Sequence, residues 1–124
     1  MTPTSLSDTT IFETPNATMR TYASPSSGGA AIAVWRTEMA TAAAGPEHVV
    51  DVDQVVVVIA GRLQILIDGT EHAVAAGDSA IVRAGSVRQL RNAGNEVLVT
   101  LTAAQPGGRA RVGANDPVDI PWAR

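Results

Sequence analysis

Apolar residues in the second half of the chain come in short runs, and each run is stopped by a turn signal. Residues 55–59 are a continuous β-branched stretch ended by Ala60-Gly61, and residues 63–67 follow and stop at Asp68-Gly69. Asp-Gly between two such runs is a strong hairpin signal, because both positions tolerate positive φ. Residues 71–74 lead to Gly77-Asp78, residues 79–82 end before Ala84-Gly85, and residues 88–91 run to Asn92-Ala93-Gly94-Asn95. Residues 97–102 form the last clear run. Upstream, residues 31–39 alternate: Ile32, Val34 and Arg36 fall on one face, and Ala33, Trp35, Thr37 and Met39 on the other. Residues 11–13 and 19–23 each predict a short strand. Residues 24–29 (SPSSGG) and 106–117 (PGGRARVGANDP) read as loops. Residues 40–47 are rich in alanine, but Gly45-Pro46 bounds them and no periodicity supports a helix. Strands about 8–12 residues apart, without a convincing helix, predict an all-β sandwich or closed barrel.

One strand breaks the expected pattern. Val55, Val57 and Ile59 alternate with Val56 and Val58, so both of its faces are apolar. An antiparallel barrel strand usually has one wet face. A second layer is expected over it, either the N-terminal segment or another subunit, and a homodimer is predicted on that ground.

Composition narrows the chemistry. A chain of 124 residues makes one domain with one core. Residues 1–10 are Ser/Thr-rich and expected to be flexible, which leaves 11–124 as the single domain. Net charge is −3 with no basic cluster, so neither nucleic acid nor an anionic membrane is an expected partner. All nine cationic side chains are Arg. With no Lys there is no Schiff-base chemistry, and planar, bidentate anion recognition is the cationic chemistry left. Zero Cys removes thiol nucleophiles, disulfides and thiolate metal sites. The first residues lack the basic and apolar regions of a leader, and no apolar run approaches the roughly 20 residues of a membrane span. A soluble, cytoplasmic protein is expected.

The stretch 45–61, GPEHVVDVDQVVVVIAG, sets His48 and Gln54 at even spacing, so in a strand they point the same way. Its spacing resembles the first motif of the cupin family, G-x5-H-x-H-x(3,4)-E-x6-G. Gly61 closes that motif, Gln54 stands at its Glu, and Val50 and His48 stand at its two His; the opening Gly is displaced to Gly45. The family's second motif, G-x5-P-x-G-x2-H-x3-N, fits without gaps. Gly77 opens it, Arg83 replaces Pro, Gly85 follows, Arg88 replaces the ligand His and Asn92 closes it. The resemblance implies a double-stranded β-helix, the cupin jelly-roll barrel, with a ligand cavity inside.

The resemblance also implies a metal held by two His, one Glu and a third His, which here become His48, Val50, Gln54 and Arg88. Val has no donor atom, Arg is a permanent cation and Gln is a weak neutral donor. No metal and no other cofactor is expected; if a metal bound, His48 and Gln54 would be its contacts. Asp51 and Asp53, at odd spacing, are expected on the opposite face. Arg88 is expected to face the cavity. Its charge would be met by Asp51, Asp53 or Glu47, by snorkelling to the mouth, or by an anionic or carbonyl group of a bound molecule. His48 is open to three roles: structural residue, general acid/base, or hydrogen-bonding partner of a ligand. Gln54 would orient a ligand or fix the His48 tautomer. Trp35, Val50 and Val56 are expected pocket walls, His72 a surface residue, and Trp122 a residue docked on the barrel or on a second subunit.

These readings converge on a metal-free barrel that binds a small organic molecule, with His48 and Arg88 as catalytic candidates for an isomerase- or cyclase-type proton transfer. A metal-dependent enzyme such as a dioxygenase, and a non-catalytic structural or sensing module, are the alternatives.

Overall fold

The computed structural model describes residues 3–124. Twelve strands follow one another: β1 (Thr10–Glu13), β2 (Thr18–Ala23), β3 (Ala33–Met39), β4 (His48–Val50), β5 (Gln54–Ala60), β6 (Arg62–Ile67), β7 (Thr70–Ala75), β8 (Ser79–Val82), β9 (Val87–Asn92), β10 (Leu98–Ala104), β11 (Arg109–Arg111) and β12 (Val118–Asp119). Two 3₁₀ turns, Leu6–Asp8 and Pro121–Ala123, complete the described residues. No helix among them is long and apolar enough to cross a membrane.

The strands form two six-stranded sheets, ordered β1-β2-β3-β10-β5-β8 and β12-β11-β4-β9-β6-β7. All the strand pairings are antiparallel. From β4 onward the chain crosses repeatedly between the sheets, which makes the fold an all-β jelly roll. Interior positions follow from strand alternation. Trp35, Thr37 and Met39 of β3 lie in register with Thr102, Thr100 and Leu98 of β10. Thr102 and Thr100 in turn oppose Val56 and Val58 of β5. One apolar cluster, with Val58, Leu63, Ile65, Val82 and Leu98 at its heart, fills one part of the barrel. A second, built on Met19, Trp35, Val50, Ile120 and Ala123, occupies the other.

Turns lie where the sequence puts them. Asp68 and Gly69 both take positive φ, 49° and 83°, and join β6 to β7. At Gly61, φ is +85°, and a Cβ there would sit 3.0 Å from both Leu98 Cα and Val97 O. Only glycine fits where β5 passes into β6 under the start of β10.

Four expectations are corrected. Residues 106–117 are not wholly loop: β11 lies within them, and β11 and β12 extend the second sheet beyond β4. The alternating Arg109-Ala110-Arg111 is too short and too charged to read as a strand; Ala110 facing Val50 holds it in register. The strand expected over residues 31–39 begins at Ala33, leaving Ile32 exposed, and the last clear run extends to Ala104. Within residues 1–10, expected to be flexible, Leu6–Asp8 form a turn, Thr9 is buried and Thr10 already belongs to β1; residues 1 and 2 lie outside the described residues. The outer face of β5 stays uncovered by the described residues, since Ser5, Leu6 and Ser7 instead lie beside Arg20, Arg36 and Glu38 on β2 and β3. Val55, Ile59 and Ile81 are exposed there.

Candidate functional site

Two short segments bring the polar residues together. β4 pairs with β9 so that His48 stands opposite Arg88. After Val50 the chain crosses to the other sheet, where Gln54 opens β5. Arg88 Nη1 donates to Gln54 Oε1 at 3.1 Å, so the guanidinium links β9 to the first residue of β5 in the other sheet.

Arg88 is 1% exposed, and its charge is met in a way the sequence did not suggest. Nε donates to Ser86 O at 3.2 Å, and Nη2 donates to Arg83 O and Ser86 O at 3.0 and 3.1 Å. No carboxylate bonds it, and it does not snorkel. Asp51 accepts from the Arg109 amide at 2.7 Å, Asp53 accepts from the Ala84 amide and from Arg83 at 2.8 and 3.2 Å, and Glu47 is exposed. The Ala84 amide, helped by Arg83, holds the Asp53 carboxyl below its ordinary range. Burial pulls the Arg88 guanidinium down from its ordinary pKa, and the charges of Asp68 and Asp53 oppose that. The cation is solvated by backbone dipoles and one amide, with acidic residues at longer range.

His48 is half-buried, and its Nδ1 lies 2.9 Å from Pro46 O. A carbonyl can only accept, so Nδ1 carries the proton and Nε2 holds the lone pair of the neutral ring. Burial lowers its pKa, the Pro46 bond opposes that, and the neighbouring Arg88 charge lowers it further. Gln54 is oriented by the same elimination. A guanidinium can only donate, so the amide oxygen faces Arg88 and the two N–H donors of Nε2 are left over. Gln54 does not bond His48, contrary to one of its expected roles.

These groups border a cavity of ≈ 420 Å³ inside the barrel. His48, Gln54, Trp35, Val50 and Val56 all line it, as do Thr37, Met39, Leu90 and Thr102. Arg88 does not: it lies behind Gln54, which corrects the expectation that it faces the cavity. His72, exposed on β7, is remote from it. The turn Thr14–Ala17 and the segment Val118–Trp122 add further wall, as do Gly45, Pro46 and Ala110. Trp122 docks on the barrel of its own chain, with its ring 6.4 Å from that of Phe12 and its carbonyl accepting from Thr21 Oγ1 at 2.8 Å. Thr102, Leu90 and the Thr14–Ala17 turn were missed from sequence. The alternation Leu98-Thr100-Thr102 on β10 was the available signal for the first.

The residues at the four metal positions do not fit a divalent cation. Val50 offers no donor, the oxygen of Gln54 is engaged by a cation, and Arg88 brings that positive charge itself. No group of three or more His, Asp or Glu gathers at metal-binding distance among the described residues.

Comparison with known proteins agrees with this architecture. A family model described as a cupin domain matches residues 35–103. The chain belongs to the cupin family. Solved cupin structures superpose over most of its length. The polyketide cyclase RemF from Streptomyces resistomycificus aligns at a TM-score of 0.75 and 17% identity, covering 94% of this chain and 89% of that one. An RmlC-like cupin from Shewanella frigidimarina aligns at 0.72 and 16%, covering 84% and 89%. A sugar phosphate isomerase of the cupin superfamily from Silicibacter pomeroyi aligns at 0.66 and 22%, covering 84% and 73%. At these identities the likeness is one of fold. No curated protein matches the chain. Within this cupin, His48, Val50 and Gln54 line the cavity, and Arg88 stands behind Gln54 and bonds it.

Proposed function

We propose that this cupin binds a small organic molecule in its barrel without a metal, and that His48 moves a proton on it as in an isomerase- or cyclase-type reaction. One observation carries the reading. In an apolar cavity, the two polar side chains from the metal-site strands each have one end tied off, His48 Nδ1 on Pro46 O and Gln54 Oε1 on Arg88. What remains is one acceptor nitrogen and one donor nitrogen, the few convergent polar groups that such a pocket uses to orient a ligand. That the barrel also serves a polyketide cyclase and a sugar phosphate isomerase supports this class of chemistry. Arg88 is assigned here as a positioning residue rather than a ligand contact. Elemental analysis of protein purified without chelator tests the metal-free half: less than about a tenth of a transition-metal ion per chain is expected, and a near-stoichiometric amount contradicts it.

The reading includes a homodimer. The outer faces of β5 and β8 present Val55, Ile59 and Ile81 to solvent at one edge of the first sheet, and no part of the described chain covers them. Contiguous exposed apolar surface of this kind marks an interaction face.

A further inference from the structure

We infer that the cavity takes an uncharged, predominantly apolar molecule bearing a carbonyl group, with the carbonyl oxygen on Gln54 Nε2 and an adjacent C–H presented to His48 Nε2. The inference rests on the cavity's being the functional site and names what that site selects.

The lining excludes a charged ligand. Of the residues around the cavity, only His48 and Asp119 ionise, and Asp119 is an exposed residue paired with Arg109 at 3.5 Å. No cation among the described residues touches the space, so a carboxylate or phosphate would meet only the neutral donor of Gln54, with Arg88 one residue behind, and the several kcal/mol cost of desolvating a full charge would not be repaid. No buried anion is there to receive an ammonium. The walls contributed by Trp35, Met39, Val50, Val56 and Leu90 reward apolar area.

The polar pair then selects a carbonyl. Gln54 Nε2 can only donate, and His48 Nε2, in the tautomer fixed by Pro46, accepts. The two are neighbours through Arg88, which opposes His48 in register and bonds Gln54. Arg88 gives the pair its chemical direction. Its guanidinium polarises the amide from behind, so the Nε2 hydrogens become stronger donors to an oxygen that gains negative charge. A neutral ketone enters without meeting a bare cation, and its enolate is stabilised once formed. The step balances without a co-reactant. The Cα–H bond breaks, its proton goes to His48 Nε2, and its electron pair shifts to make the enolate whose oxygen stays on Gln54. The imidazolium returns the proton at carbon or oxygen, which leaves an isomer.

The test uses three naphthalenes of one size: 2-acetylnaphthalene, 2-naphthoate and 2-ethylnaphthalene. Binding is read from the fluorescence of Trp35 and Trp122, which both line the cavity, and turnover from deuterium exchange into the acetyl methyl group followed by NMR. The ketone is expected to bind at least tenfold more tightly than the other two, and the protein to accelerate its exchange. His48→Gln should keep binding and lower that exchange at least a hundredfold, the scale of a lost general base. Gln54→Glu keeps the bond to Arg88 but has no donor to offer, so it should erase the ketone's advantage over the hydrocarbon. Tightest binding of 2-naphthoate by the unaltered protein overturns this inference and leaves the cavity a binding site. No fluorescence response to any of the three overturns the reading of the cavity as well. The ranking in the unaltered protein decides the matter even if a variant fails to fold.

Discussion

At the scale of single residues, Arg88 shows how a cation is held in the interior of the barrel beside His48 and Gln54. A guanidinium is tolerated in the interior only if most of its donors are met, and four hydrogen bonds to Gln54, Arg83 and Ser86 meet four of the five. Arg88→Ala strands three buried or half-buried oxygens and opens a void. It should cost about 3 kcal/mol, from the roughly 1–3 kcal/mol penalty of each unpaired group, in urea unfolding; Arg88→Lys, with one compact head, should restore only part of that. The His48 pKa lies below its ordinary 6.5. An unfolded chain therefore takes up the proton first as pH falls, so this residue's contribution is complete above pH 6.5 and is lost as pH drops through the folded pKa. Titration of the His48 ring protons by NMR, folded and in urea, checks the sign; a folded value above the unfolded one contradicts it. Thr100 offers a third test. Its hydroxyl is buried without a partner, so Thr100→Val should stabilise the fold by about 1 kcal/mol. Gln54 and His48 were legible in the sequence because their spacing survived. The partners of Arg88 were not, since Arg83 O and Ser86 O are backbone atoms that no side-chain pattern announces.

At the scale of elements, the site depends on two close approaches. The β8–β9 turn is held by Arg88 from inside and by Asp53, which accepts from Ala84 and Arg83, from outside; Gly85 N also donates to Val50 O at 2.9 Å. That lattice fixes β9 against β4 and so fixes Arg88 behind Gln54. The other approach is Gly61, whose replacement by Ala meets both positive φ and the backbone of Val97 and Leu98. Gly61→Ala should destabilise by about 2–4 kcal/mol, combining left-handed backbone cost with steric displacement, measurable by thermal unfolding. Long strands such as β5 and β6 were readable from their β-branched runs and the Asp68-Gly69 turn. β11 and β12 were not, because they are two or three residues long and owe their conformation to their strand neighbours, β11 to β4 and β12 to β11, rather than to their own composition.

At the scale of the whole molecule, a jelly roll this short has to divide its interior between packing and binding. Both apolar clusters lend residues to the cavity, Met39 and Val56 from one and Met19, Trp35, Val50 and Ile120 from the other, and the second is capped by the C-terminal turn through Ile120 and Trp122. The barrel's outer surface is asymmetric too, polar over β7 and apolar over β5 and β8. Light scattering on a sizing column should return twice the chain mass at micromolar concentration, and Ile81→Arg should shift it to the monomer; a monomeric parent contradicts the dimer. The all-β class and the barrel were legible from turn spacing. Of the cavity's walls, Trp35, Val50 and Val56 were legible, but Thr14–Ala17 and Ile120–Trp122 were not, because they reach it only through tertiary folding.

The central claim is that His48 and Gln54 form a metal-free donor–acceptor pair inside the barrel. A crystal structure of the protein with 2-acetylnaphthalene tests it most directly. The ketone oxygen is expected within about 2.7–3.2 Å of Gln54 Nε2, the usual range for N–H···O, with the methyl carbon toward His48. A metal ion bound to His48, or a ketone lodged anywhere but this cavity, would contradict it.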